Sequence, residues 1–208
     1  MFDLNPLQIL AGLPGLVIAM VVHEYAHARV AVALGDFTPR LMGRLTLNPM
    51  AHIDPIGLLM LFLVRFGWAK PVIINPNNFK QPRRDDVLVS LAGPGANLVT
   101  AFVALLVMVC FIKFGVEMST GVRTVFSMIM IYNINFAIFN MIPIPPLDGS
   151  HVLRQLLPWE MARKLDGLER YSFLILIAIM MTPVLGWIFV PMQRMILGMF
   201  EFIISPLL

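Results

Sequence analysis

The chain holds a single cysteine, Cys110, among 208 residues. One thiol excludes an intrachain disulfide framework and a cysteine zinc site. Set in an apolar stretch, Cys110 reads as a small buried hydrophobe. Charge is scarce too: 13% of residues are charged against 59% hydrophobic, and the mean hydropathy is +0.83. A soluble domain is about a quarter charged, so composition puts this chain in a bilayer. The formal net charge of +3 comes without a basic helix or Arg-rich tract, which argues against a nucleic-acid partner. Internal repeats and low-complexity linkers are missing, and the loops are too short for an appended soluble domain. No basic segment precedes the first apolar run, so a cleaved signal peptide is a poor account of the N-terminus.

What the chain does have is a series of long apolar runs. A membrane span needs about 20 predominantly apolar residues. Residues 7–34, Val87–Phe114, Val122–Met141 and Tyr171–Val190 meet that length, and Met192–Leu208, near the lower limit, either spans or lies at the interface. The shorter run Ile56–Phe66, bounded by Pro55, Arg65 and Lys70, suits a re-entrant or interfacial segment better than a span. Between Asp36 and Ile53 the text is polar, turn-rich and partly alternating, which predicts a short β-hairpin or an extended loop. The expected fold is an all-α polytopic membrane protein with a three-helix core and one or two C-terminal transmembrane helices. A small β-hairpin or re-entrant element would separate the first two core helices. Residues 1–208 are expected to form one membrane-embedded unit, with the core over about 7–150 and the C-terminal helices over about 170–208.

Basic residues orient the chain. Arg40, Arg44, Arg65, Lys70, Lys80, Arg83 and Arg84 lie between Gly35 and Asp86, and Arg154, Arg163, Lys164 and Arg170 follow Pro143. The opposite side has only Lys113 and Arg123, with Arg194 left open between that side and the bilayer. Positive loops favour the cytoplasm, which predicts an N-terminus outside and the His23 end of the first helix nearer the cytoplasm. Trp68, Trp159 and Trp187 suit membrane interfaces, and the sixteen methionines suit packing.

The first run ends in His23-Glu24-Tyr25-Ala26-His27. Ionisable groups at bilayer depth are expensive and usually functional. Residues i and i+4 share a helix face, so the two imidazoles can converge on one metal ion, with Glu24 beside it as a general base. A catalytic zinc usually takes three protein ligands. Candidates for the third are His52, His151 and carboxylates near a membrane boundary. Among these Asp148 stands out. It follows Pro143, Pro145 and Pro146, which cannot continue a helix, and a broken helix at membrane depth must be buried in protein or line a wet cavity. The plainer alternative is a proline-rich helix exit with a capping aspartate. Topology adds a constraint: His27 and Asp148 reach the same side only if one span, not two, lies between their helices, which favours a non-spanning 56–66.

The HEYAH motif, Ser90-Leu91-Ala92-Gly93-Pro94-Gly95-Ala96-Asn97 opening the second core helix, and Asn140 to Gly149 closing the third resemble the site-2 protease family. These are intramembrane zinc metalloproteases with a three-helix catalytic core. The likeness covers roughly residues 10–150 and is closest to the compact branch without PDZ or CBS domains. The resemblance implies one Zn²⁺ per chain held by His23, His27 and Asp148, with Glu24 as catalytic acid/base. It gives Asn97 a part in positioning the substrate or stabilising the oxyanion, and Asn140 opens the third motif. His52 and His151 flank the implied site as second-shell candidates, each with a purely structural alternative. The implied activity is regulated intramembrane proteolysis of a single-pass substrate in a bacterial or archaeal cell membrane. A non-proteolytic metal transporter or metal-binding scaffold is the rival, although neither needs a glutamate between the histidines. Gly93, Gly95 and Ala96 are expected to permit close helix contact.

Overall fold

The computed structural model of the chain describes residues 6–57, 60 and 67–207. Among these residues the protein is helical, with no β-strand. The helices are α1 (Pro6–Ala33), α2 (Thr38–Leu41), α3 (Pro82–Lys113), α4 (Thr120–Asn140), α5 (Asp148–Leu156), α6 (Trp159–Leu168), α7 (Ser172–Met180) and α8 (Val184–Ile204). Among the described residues, four helical stretches are long and apolar enough to cross a membrane: Gly12–Ala33 of α1, and α3, α4 and α8.

Local chemistry sets the helix ends. After α1, Gly35 takes φ +111°, the left-handed region that glycine enters without steric cost. Its N–H reaches Val32 O, and the Asp36 N–H reaches Ala31 O at 2.9 Å. This is the paired hydrogen-bond pattern of a glycine-terminated helix. Gly115 at φ +65° ends α3 in the same way, with Val116 N–H on Phe111 O. At the start of α4 the Ser119 side chain accepts from the Val122 N–H, as an N-cap residue does.

Helices α1, α3 and α4 pack pairwise against one another, α5 lies on α3, and α8 lies on α4. The α1–α4 crossing is close. A Cβ on Gly15 would lie 2.9 Å from the Met128 carbonyl carbon and oxygen, so only glycine fits there, as is common where membrane helices touch. On the other side Ile196 and Phe200 of α8 join Ala101, Ile134 and Ile138 in one core cluster. The Gln193 amide donates to Asn135 Oδ1 across the same interface.

Two expectations need correction. The apolar run 171–190 is not one span. It breaks at Thr182-Pro183, and the span-length helix is Val184–Ile204, preceded by the nine-residue α7. Pro183 has no N–H and disfavours helix at the residue before it, whereas hydropathy alone does not change across the break. Between Asp36 and Ile53 no hairpin forms. Pro39 sits in the first turn of α2, and Asn48 caps a 3₁₀ turn at Pro49–Ala51. An isolated antiparallel bridge joins Ile53 and Ala69. The re-entrant expectation for Ile56–Phe66 falls mostly outside the described residues; positions 55–57 are helical.

Asp36 organises the chain beyond α1. Its fully buried carboxylate accepts from Thr38 N and Oγ1, Asn75 N and Asn78 Nδ2, at 2.6–3.1 Å. Those bonds tie the extended stretch before Pro76 to the end of α1. Arg44, counted above as a loop cation, is buried, and its guanidinium donates to Ala51 O.

Candidate metal centre

His23 and His27 lie one turn apart near the end of α1, and Asp148 is the first residue of α5. The chain reaches Asp148 through the non-helical residues 141–147, where Pro143, Pro145 and Pro146 interrupt helical hydrogen bonding. The three side chains meet. His23 Nε2 and His27 Nε2 are 3.0 Å apart, and Asp148 Oδ2 lies 3.1 and 3.3 Å from them. No other group of His, Cys, Asp or Glu converges in this way among the described residues.

The protonation pattern follows from the partners behind the rings. His27 Nδ1 is 2.8 Å from the Val89 carbonyl, and His23 Nδ1 is 2.7 Å from Asn97 Oδ1. The Asn97 amide is oriented unambiguously, because its Nδ2 donates to Ala19 O and to Asn133 Oδ1. Both Nδ1 atoms therefore donate, and a ring whose single proton sits on Nδ1 turns a lone pair inward from Nε2. Asp148 Oδ2 is buried and without a hydrogen-bond donor. Three acceptors so close repel one another, and a divalent cation between them removes that repulsion. With zinc–ligand bonds of about 2.0–2.1 Å, tetrahedral ligand atoms stand about 3.3 Å apart. The donor set and its spacing both fit zinc.

Gly93 makes the close approach of α3 possible. A Cβ there would lie 2.5 Å from His27 Nε2 and 2.6 Å from His23 Cε1. Gly95, by contrast, faces open space. Phe136 of α4 packs edge-on against His23, with ring centroids 5.1 Å apart.

A cleft of about 510 Å³ opens beside His23 and Glu24. Its walls are mainly apolar, with Val17, Met20, Phe139 and Phe173 among them, and Asn140 and Asp54 bring polar groups. Glu24 Oε2 accepts the Val72 N–H at 3.0 Å. That bond fixes one carboxylate oxygen and leaves Oε1 for other partners.

The remaining sequence candidates occupy different places. Asn97 is fully buried, its Nδ2 donates to Ala19 O and Asn133 Oδ1, and its Oδ1 accepts from His23. Asn140 lines the cleft and donates to Phe136 O within its own helix. His52 is buried in its loop, with Nε2 donating to Thr46 O and its carbonyl accepting from Lys70 N–H. His151 is half exposed and stands 3.7 Å from Asp86 Oδ2. That carboxylate raises the His151 imidazole above its usual range against the opposing effect of burial. Neither histidine contacts a ligand atom.

Three supporting groups escaped sequence reasoning. Asn133 backs Asn97, and a lone amide inside an apolar run was its only signal. The Val89 carbonyl, as backbone, carries none. Asp86 lay unremarked beside Arg83 and Arg84, yet it is buried and takes a 2.7 Å hydrogen bond from Gln155, which docks α5 on α3.

Spanning helices that close around two buried histidines and a partly buried aspartate, with a glutamate at the adjoining cleft, define a membrane-embedded metalloprotease class. Comparison with known proteins agrees. Residues 110–183 match the model of Peptidase family M50. The chain is 39% identical over 211 residues to a Bacillus subtilis protein with the printed name "Putative zinc metalloprotease YwhC", covering 96% of each. It is also 30% identical over 182 residues to the Rip2 protein of Mycolicibacterium smegmatis and 31% over 183 residues to Rip2 of Mycobacterium tuberculosis. In both cases 84% of this chain and 68% of the relative are covered. No solved structure matches significantly. The chain belongs to Peptidase family M50, the site-2 protease family, whose metal is zinc.

Proposed function

We propose that the protein is an intramembrane zinc endopeptidase that cuts peptide bonds within or next to the transmembrane segment of single-pass membrane proteins. The observation that carries this reading is the meeting of His23 Nε2, His27 Nε2 and Asp148 Oδ2 within 3.3 Å of one another, beside a cleft that Glu24 also lines. Zinc held by these three atoms supplies Lewis acidity towards a scissile carbonyl and acidifies water. Glu24 Oε1 takes the proton from the attacking water and returns it to the leaving amine nitrogen. The Val72 N–H keeps the other oxygen in place through both transfers. Asn97 and the Val89 carbonyl hold the imidazoles in the tautomer that faces Nε2 inward, as outer partners of metal ligands generally do. Phe136, Phe139 and Phe173 keep the cleft largely apolar, which suits an unwound stretch of transmembrane helix.

The basic loops flanking the site favour a cytoplasmic position for the zinc end of α1, with the N-terminus outside. The test is reconstitution of the full chain in liposomes with a single-span substrate labelled at both ends. Cleavage that stops with a zinc chelator, returns with added zinc, and leaves a soluble protein substrate uncut is expected. Zinc-independent cleavage, or none with a panel of single-span substrates, would overturn the assignment.

A further inference from the structure

Arg194 is the eleventh of the 21 residues of α8. Gln193 beside it bonds Asn135 on α4, two residues from Asn133, which meets Asn97 in the middle of α3. Arg194 therefore sits at the depth of the buried polar layer, midway along the spanning helices. Its side chain is exposed, and among the described residues no carboxylate pairs with it. Ionisable residues on spanning helices are costly and normally face a bundle interior or a partner.

The rest of that helix face has the same character. Gly198, one turn on, is exposed, and a Cβ added to it would meet nothing within 4 Å. Glu201, two turns on, is exposed as well. At about 100° per residue, positions 194, 198 and 201 share one face. The buried Ile196 and Phe200, which join the core cluster, point the opposite way. Small residues that admit a close backbone, next to polar groups that bond across, are how membrane helices associate.

We propose that this face of α8 docks a transmembrane helix of a second membrane protein, one that carries a carboxylate at mid-bilayer depth opposite Arg194. A second copy of this chain is the wrong partner. Two copies with the same membrane orientation, related by a two-fold axis, meet depth for depth. Arg194 would face Arg194 and Glu201 would face Glu201, with the two levels about 10 Å apart. Because the face turns away from the core, a helix held there is a companion of the enzyme and not a bond about to be cut.

The full chain, end-labelled and reconstituted in zwitterionic bilayers, is titrated with labelled leucine–alanine spanning peptides bearing Glu, Gln or Lys at the centre. Energy transfer reads association, and zinc content with helical circular dichroism verifies each variant. The Glu peptide is expected to associate about tenfold more strongly than the Gln peptide. Arg194→Leu should abolish that preference, Arg194→Lys should retain it, and Arg194→Glu should transfer it to the Lys peptide. Equal association of the Glu and Gln peptides would overturn the proposal, as would a Glu preference that survives Arg194→Leu. Self-association of the chain that Arg194→Leu removes would also overturn it, by making a second copy the occupant. None of these readings depends on proteolysis, so failure here is separate from failure of the protease assignment.

Discussion

Asn97 Oδ1 stands 2.7 Å from Nδ1 of His23, and the same amide reaches the Ala19 carbonyl on α1 and Asn133 on α4. One side chain thus joins the three core helices and fixes the tautomer of a candidate metal ligand. Asn97→Ala removes the acceptor behind His23 and strands Asn133 Oδ1. Outer partners of metal ligands are worth about 10–100-fold in metal affinity, so zinc affinity should fall by that factor in a chelator competition. Unchanged affinity would show that the bond does not hold the ring.

Gly93 and Gly95 form a matched pair. A methyl group at Gly93 enters the space of both imidazoles, while one at Gly95 meets nothing. Overpacking of this kind costs about 1–3 kcal/mol. Gly93→Ala should lower zinc affinity by about fivefold or more with helix content retained, and Gly95→Ala should bind zinc as the parent does.

Asp86 fastens the ligand-bearing helix α5 to α3 through Gln155. Cutting that tie with Asp86→Ala should speed amide hydrogen exchange across residues 148–156 and weaken zinc binding through Asp148. Exchange indistinguishable from the parent would remove Asp86 from the support of the site.

Acid should loosen the loop beyond α1. Burial alone would push the Asp36 carboxyl up, but the hydrogen bonds from Thr38, Asn75 and Asn78 hold it below the ordinary value of 3.8. A carboxyl depressed on folding contributes stability that is present above its unfolded pKa and is lost as pH falls through the lower folded value. The melting temperature should therefore decline below about pH 4. Asp36→Asn should be less stable at neutral pH and show a smaller decline in acid.

Much of the fold was legible because bilayer helices announce themselves by length and apolarity. The runs 7–34, Val87–Phe114 and Val122–Met141 fall within a few residues of α1, α3 and α4, apart from the polar first turn of α3, which hydropathy leaves out. The C-terminal helices were misjudged because the apolar text continues through Thr182-Pro183, and only the missing proline N–H marks the break. The hairpin failed for a related reason: partial alternation before Ile53 had no partner strand, and Pro39 and Asn48 favoured short helical turns. At the site, His23 and His27 stood out by their spacing and Asp148 by its place after the proline run. Asn97 was noticed by its motif, but a sequence cannot tell which atoms its amide meets. The Val89 carbonyl and the Asp86–Gln155 bond exist only once α3 is packed against α1 and α5.

The most direct test is Glu24→Gln in the reconstituted full chain, with zinc content and substrate cleavage measured on the same sample. Glutamine keeps the shape of the side chain but cannot carry the proton, and general-base catalysis contributes about 10²–10⁴-fold. A zinc protease centred on His23, His27 and Asp148 predicts one zinc per chain retained, with cleavage down by at least about a hundredfold. Cleavage near the parent rate with zinc in place would contradict it.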